Sequence, residues 1–213
     1  MYGNKRARRV AFASKGQQSP QGKGSIIALG GDVDFVPNFE SENPPDKVFY
    51  LYGPIEEEIE YVDMIQEIRY APEGQIITIH INSPGGCLST CLAIINAIQA
   101  SRAQVIGVID GEACSAAAFI WLACHSKVIA SKHVYFMVHE AGWLMHGNAS
   151  EHQSQVLLMK KIVKGILLEF SKGLLKEEEF KDFDKGIDIY LTGEEIVERI
   201  GTTATQPEMA EEA

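Results

Sequence analysis

Hydrophobic and polar residues change their spacing several times along the chain, and the changes predict strands that alternate with helices. Short continuous apolar runs indicate buried strands, whereas apolar residues at helical spacing indicate amphipathic helices. Strands are predicted at 47–53, 75–81, 104–110, 127–130, 134–138 and 188–192. Helices are predicted at 56–71, 87–100, 116–124 and 193–200, with a long projecting helix from 149 to 175. This alternation is typical of an α/β domain with a largely parallel sheet.

Two of the predicted strands end in turns that contain glycine. The run INSPGG closes the strand 75–81, and the adjacent Gly85 and Gly86 allow the backbone to approach another group closely. The run DGEACS follows the strand 104–110, where Gly111 predicts a sharp turn before the next helix. INSPGG lacks the spacing of a phosphate-binding loop, and DGEACS differs from the G-x-S-x-G elbow of other hydrolases. Neither turn therefore identifies a function by its motif alone.

Composition is that of an ordinary globular protein. Apolar residues make up 46% of the 213 residues and charged residues 23%. A chain of this length can bury a sizeable core without a disulfide or metal staple. The cysteines lie in apolar runs without zinc-type pairing, at Cys87, Cys91, Cys114 and Cys124. We therefore expect core thiols, and neither a metal ion nor a cofactor.

Charge is distributed unevenly within a net charge of −10, because residues 1–24 are basic and the chain ends in PEMAEEA. We predict a flexible basic arm and lead-in over 1–46, a folded domain over 47–200 and an acidic tail over 201–213. The arm lacks interleaved aromatic residues, which disfavours nucleic-acid binding. No apolar stretch reaches the roughly 20 residues needed to cross a bilayer, and the first residues lack the apolar core of a secretory signal. These features favour a cytoplasmic protein without a membrane partner.

Ser115 and His139 are the candidates for a nucleophile and its base. Ser115 lies between a predicted strand and an apolar helix, whose N-terminal dipole would stabilise negative charge on an attacked carbonyl. His139 directly follows the predicted strand 134–138, where its side chain would face a cleft. The alternative interpretation is a small packing serine and a structural histidine.

A carboxylate that orients the imidazole would complete a catalytic triad. Asp182, Asp184 and Asp188 all lie between the long helix and the last predicted strand or at its start. Spacing alone does not choose among the three.

Four sequence runs together resemble a known peptidase family. INSPGG, DGEACSAAAF, VYFMVHEAGW and DIYLTGEEIVE follow one another in the order and spacing of the Clp protease proteolytic subunit (ClpP) family, over about residues 47–200. The resemblance implies a ClpP-like peptidase domain with a crotonase-like α/β fold. It also implies serine endopeptidase activity on polypeptides, and homo-oligomers of seven-membered rings that stack into a closed chamber.

The resemblance also implies a role for each of five residues. Ser115 corresponds to the nucleophile, His139 to the general base and Asp188 to the orienting acid. Gly86 and Ala116 would supply the backbone N–H groups of the oxyanion hole.

Several positions differ from the family pattern. Glu140 and Ala141 follow His139 where the family has Gln-Pro, and GWLMHGNASEHQ replaces the glycine-rich strand through which the rings stack. The family implies ATP-dependent degradation with an AAA+ unfoldase as partner. Thr78 and His80 replace two tyrosines of the unfoldase dock, which leaves that partnership and the double ring open.

Three alternatives stand beside a degradative peptidase. DGEACSAAA and the tryptophan soon after His139 resemble ClpP-like head maturation proteases of bacteriophages, which process capsid or scaffold proteins. A catalytically silent subunit would only build the ring, although all three triad positions are filled. A crotonase-fold enzyme acting on a coenzyme A thioester would share the oxyanion hole but would not need Ser, His and Asp in this order.

Overall fold

Residues 46–140 and 149–201 are described by the computed structural model of the chain. The predicted arm up to residue 45, the segment 141–148 and the predicted tail from residue 202 lie outside the described residues. The predicted domain boundaries therefore stay predictions. Where the chain is described, no helix is long and apolar enough to cross a membrane.

The predicted strands are all present and form one sheet. Their bounds are β1 Lys47–Tyr52, β2 Ile76–Ser83, β3 Gln104–Cys114, β4 Ser126–Ile129, β5 Tyr135–Val138 and β6 Ile189–Thr192. The strand order is β1-β2-β3-β5-β6, and β4 also pairs with β3. Every pairing is parallel except that of β5 with β6. The predicted α/β class with a largely parallel sheet is confirmed.

The helices occupy the segments between these strands. They are α1 Val62–Arg69, α2 Leu88–Ala100, α3 Ala116–Ala123, α4 Ala149–Phe170, α5 Glu177–Asp184 and α6 Gly193–Gly201. The predicted helix 56–71 is shorter than expected, because Glu58–Tyr61 form a 3₁₀ turn before α1. The long helix also ends early, at Phe170: the amides of Leu174 and Leu175 turn back to the carbonyl of the buried Ser171.

Helix α5 was missing from the sequence prediction, because charged residues dominate 176–186 and hide the helical period. The helix begins where the Glu179 carboxylate accepts a hydrogen bond from the Lys176 amide at 2.8 Å. Its only buried side chain is Phe183. One buried residue is too weak a signal for a periodicity argument.

The turn predicted at DGEACS is wrong, because β3 continues through Gly111 to Cys114. Gly111 instead allows the side chain of Asn82 to lie against the strand: a Cβ at Gly111 would be 2.5 Å from Asn82 Oδ1. The same oxygen accepts a hydrogen bond from the Glu112 amide at 3.1 Å. The long strand can therefore pair with β4 along its first part and with β5 along its second. The sharp turn comes at Ser115.

Helix α3 is the most deeply buried element, since all eight of its residues are buried. Trp121 at its centre is fully inaccessible and donates from Nε1 to the carbonyls of Gly107 and Val128, at 3.1 and 3.2 Å. These bonds tie α3 to β3 and β4. Because α3 begins directly after Ser115, the packing of this helix also fixes the position of that serine.

Candidate active site

Ser115 has a strained backbone in the turn between β3 and α3. Its φ of 54° makes it the one residue other than glycine with a positive φ among the described residues. Its amide donates to the carbonyl of Met137 in β5 at 2.8 Å, and its carbonyl accepts from Phe119 in α3 at 3.2 Å. A conformation of this kind costs about 1–3 kcal/mol, and such strain concentrates at functional sites.

His139 lies against Ser115. Its Nε2 is 2.8 Å from the Oγ of Ser115, and both residues are half-buried. The contact follows from the sheet, because β3 and β5 run parallel with Cys114 opposite Met137. The residues just beyond the two strand ends therefore meet at one edge. With Nε2 unprotonated, the Ser115 hydroxyl donates to it, which is the arrangement that a general base requires.

The INSPGG turn packs against the serine. Gly85 has a φ of 92°, and a Cβ there would lie 2.8 Å from the Cβ of Ser115. Gly86 has a φ of 152°, and a Cβ there would lie 2.2 Å from the carbonyl oxygen of Ile55. Ile55 holds the turn by donating to Gly85 and accepting from Cys87, both at 2.9 Å. Both positions therefore require glycine.

Two backbone amides beside the serine have no protein acceptor. Within the described part of the chain, the N–H groups of Gly86 and Ala116 make no hydrogen bond to protein. Ala116 is the first residue of α3, where an amide lacks an intrahelical acceptor and lies at the positive end of the helix dipole. The two segments touch, since a Cβ at Gly85 would lie 3.0 Å from the Ala116 nitrogen. These amides are available to an anionic ligand.

The three candidate acids differ in their contacts. Asp182 accepts a hydrogen bond from Lys185 at 2.8 Å, and Asp184 pairs with Lys164 of α4 at 2.6 Å. Asp188 is exposed and has no ion pair with any described residue.

Asp188 directly precedes β6, and no hydrogen bond or ion pair joins its carboxylate to His139 among the described residues. The antiparallel pairing of β5 and β6 places Val138 opposite Ile189. Continued by one residue, this register brings His139 opposite Asp188. No hydrogen bond joins the imidazole to a carboxylate anywhere in the described ranges. The structure thus brings together Ser115, His139 and the two amide segments, and leaves Asp188 as a near neighbour.

Sequence reasoning missed the role of Glu140 in this region. Its carboxylate pairs with Lys160 of α4 at 2.9 Å, on the rim of a cavity of about 160 Å³. Met159, Val163 and Phe183 supply the apolar lining of that cavity. The one sequence signal for this ion pair was a carboxylate beside the predicted base. Sequence spacing does not reveal that Lys160, on a separate helix, is the partner of this carboxylate.

The four cysteines are free thiols, of which Cys87 is half-buried and the other three are buried. Burial, reinforced by the charge of Glu112, raises the pKa of Cys114 to about 11. Burial raises the pKa of Cys91 to about 12, and its thiol donates to the carbonyl of Ala116 at 3.3 Å. Thiols with these pKa values are poor nucleophiles at neutral pH. In the ranges that the structure describes, no three or more His, Cys, Asp or Glu side chains are placed to hold a metal ion.

A serine hydroxyl in contact with a histidine, beside backbone amides that are available to donate, is typical of hydrolases that attack carbonyl groups. Here this arrangement lies at the edge of the sheet of an α/β fold. Compared with known protein families, the chain matches the family described as Clp protease over residues 46–199. The match covers more than half of the sequence, and the chain belongs to the Clp protease family. Membership implies a peptidase, and this family is generally oligomeric and acts on polypeptides.

Proposed function

We propose that the protein is a serine endopeptidase in which Ser115 is the nucleophile, His139 the general base and Asp188 the orienting acid. The observation that carries the proposal is the 2.8 Å contact between Ser115 Oγ and His139 Nε2. Membership of the Clp protease family supports a peptide bond as the substrate.

The reaction proceeds through an acyl-enzyme. His139 removes the hydroxyl proton as Ser115 Oγ attacks the peptide carbonyl carbon, and the carbonyl electrons move to the oxygen. The amides of Gly86 and Ala116 donate to this oxyanion, a contribution of about 2.7–4 kcal/mol per donor in comparable sites. Protonated His139 gives its proton to the leaving amine. Water, deprotonated by His139, then attacks the ester and releases the acid product and free Ser115.

In this mechanism Asp188 selects the tautomer of the neutral His139 imidazole and stabilises the imidazolium that forms from it. Its neighbouring position across the end of the β5–β6 ladder supports this role. So does its lack of a competing ion pair among the described residues, since lysines occupy Asp182 and Asp184.

Replacing one aspartate at a time by asparagine tests which carboxylate is the orienting acid. We expect Asp188→Asn to lower kcat for a fluorogenic peptide by about 10⁴-fold, as loss of the orienting acid does elsewhere. Asp184→Asn removes a carboxylate of the same segment and only weakens its ion pair with Lys164, so kcat is expected to fall by less than about tenfold. The reverse pattern would assign the orienting role to Asp184.

A second test concerns the substrate class. We expect hydrolysis of an unfolded polypeptide and of short fluorogenic peptides, with activity absent in Ser115→Ala because no acyl-enzyme forms. Coenzyme A thioesters should be left intact. Thioester turnover without peptide cleavage would favour the crotonase-type alternative, and no turnover of either substrate would favour a silent ring subunit.

We further propose that the subunits assemble into seven-membered rings and degrade polypeptides delivered by an ATP-dependent unfoldase. The second candidate is processing of capsid or scaffold proteins, and the surface at the dock positions favours it. Thr78 is buried there, and His80, whose ring stacks on the exposed Tyr50, is bound to Asp110 at 2.9 Å, so neither position presents the phenol ring of the family dock. Degradation of a folded, tagged protein only with an added Clp-type unfoldase and ATP would support the first candidate. Limited cleavage at defined sites without ATP would support the second.

A further inference from the structure

We infer that Glu140 and Lys160 form a positioning ion pair that holds the end of β5 against α4 and so keeps His139 in contact with Ser115. This inference rests on the proposed roles of Ser115 as the nucleophile and His139 as the general base. It concerns a residue pair that acts through the base and does not itself touch the substrate.

Among the described residues, the end of β5 has few polar restraints beyond its ladder with β6. Ladder pairing with β6 ends at Val138, so His139 lies just beyond the last backbone pair. The first side-chain contact after it is that of Glu140, whose Oε1 is 2.9 Å from the Nζ of Lys160. In the chain, His139 therefore lies between Val138, which is paired with β6, and Glu140, which is ion-paired with Lys160.

Helix α4 carries a second lysine one turn further on, and both lysines hold segments that bear proposed catalytic groups. Lys164 pairs with Asp184 at 2.6 Å, at the end of α5 and shortly before Asp188. Glu140 also faces this segment: a Cβ at Gly186 would lie 3.9 Å from its Oε2. Together the two ion pairs fasten the base-bearing strand end and the acid-bearing loop to one helix.

A cavity lies between these segments, and both ion pairs are part of its lining. Met159 and Val163 of α4 and Phe183 of α5 line it, with the four charged residues around them. A strand end that borders a cavity on one side can shift more easily than one packed on both sides. The reaction is sensitive to such shifts, because misplacement by about 1 Å can cost on the order of 10²-fold in rate.

The ion pair is half-exposed, with 50% of the Lys160 side chain and 28% of the Glu140 side chain accessible. Pairs with this exposure contribute little to the stability of the folded state. We therefore expect the effect in the rate at Ser115 and not in the unfolding temperature.

The test compares four variants of the full-length assembled protein: Glu140→Gln, Lys160→Met, the exchange Glu140→Lys/Lys160→Glu, and a control. The control is Glu177→Gln/Lys181→Met, which removes an exposed ion pair within α5. The readouts are the second-order rate of Ser115 labelling by a small fluorophosphonate, kcat and KM for a short peptide, and the thermal unfolding midpoint. The labelling rate measures the Ser115–His139 contact without a contribution from peptide binding.

We expect each single variant to label about two- to fivefold more slowly, with kcat reduced equally and KM unchanged. The exchange variant should recover most of the rate, and the control should equal the wild type. Added salt should slow the wild type towards the rate of Glu140→Gln, which itself should respond little.

The inference would be overturned by labelling rates that stay at the wild-type value in both single variants, or by equal losses in the single and exchange variants. A fall in the unfolding midpoint without a change in labelling rate would show a purely structural pair and would also overturn it. A wild-type protein that is not labelled at Ser115 at all would overturn the proposed function and this inference together. The wild-type arm therefore separates the two failures.

Discussion

Backbone conformation at single residues determines the chemistry available at the edge of the sheet. Ser115 adopts a φ of 54°, which directs its hydroxyl towards His139, and the glycines at 85 and 86 fit the turn against it. Sequence reasoning could select Ser115, because a hydroxyl between a strand and an apolar helix is visible in the sequence. It could not predict the strain, since residue type does not specify a positive φ for serine.

Replacement of Gly86 by alanine tests the close approach at this turn. The added Cβ would lie 2.2 Å from the Ile55 carbonyl oxygen. We therefore expect the free energy of unfolding to fall by more than about 3 kcal/mol and the peptidase activity to be lost. Gly74→Ala is the matched control, because Gly74 also has a positive φ but open space around it. That variant should lose only about 1–2 kcal/mol. Urea unfolding and peptide hydrolysis measure both, and equal losses would contradict the account.

Asp110 gives a prediction about pH. Burial disfavours its charged form, yet hydrogen bonds from His80 and Tyr52 outweigh this and lower the pKa of the carboxyl below its ordinary value. A lowered pKa in the folded state stabilises the protein above the ordinary carboxyl pKa of about 3.9, and the contribution disappears as the pH falls through the folded-state pKa.

Asp110→Asn should therefore destabilise the protein at pH 7 by about 1 kcal/mol, after allowance for solvent screening of this partly exposed group. The difference from the wild type should shrink steadily below about pH 4. Urea unfolding at several pH values measures it. A difference that is constant from pH 7 to pH 3 would mean that the charge of Asp110 is not involved.

Elements of the fold differ in how much of them the sequence determines. The six strands were predictable because each is a continuous apolar run, and buried parallel strands have this composition. The extension of β3 past Gly111 was not predictable, because it depends on a hydrogen bond to Asn82 of the neighbouring strand. Helix α5 was missed for a similar reason: it is held by contacts at its two ends and buries only Phe183.

Trp121 gives the prediction at this scale, because it joins α3 to two strands. Trp121→Phe keeps an aromatic ring but removes the N–H that donates to Gly107 and Val128. We expect a loss of about 1–3 kcal/mol in the free energy of unfolding, since one buried and one partly buried carbonyl lose a partner. Tyr70→Phe, at a side chain that is 78% exposed, should change stability by less than about 0.5 kcal/mol. Similar midpoints for both variants would contradict this account of α3.

Across the whole molecule, strand order is what joins distant parts of the sequence into one site. Ser115 and His139 were predictable as partners because both follow strands of a parallel sheet, whose ends meet at one edge. The choice of Asp188 rested on family resemblance and stays a prediction. The Asp188 side chain makes no hydrogen bond or ion pair with His139 among the described residues, and such contacts depend on rotamers that a sequence does not specify.

Deletion of residues 1–24 tests whether the site is independent of the basic arm. Within the part of the chain that the structure describes, the contacts at Ser115 come from residues 55–139, so we expect an unchanged rate of Ser115 labelling and an unchanged far-ultraviolet spectrum. A labelling rate more than about tenfold lower, with the spectrum unchanged, would mean that the arm contributes to the site.

The most direct test of the central claim is labelling of the full-length protein with a fluorophosphonate, with the modified peptide identified by mass spectrometry. The probe forms a stable bond to a serine that a base and an oxyanion hole activate. The account predicts one labelled site at Ser115, lost in Ser115→Ala and reduced at least about 10³-fold in His139→Ala. Labelling at another serine, or none on correctly folded wild-type protein, would contradict it.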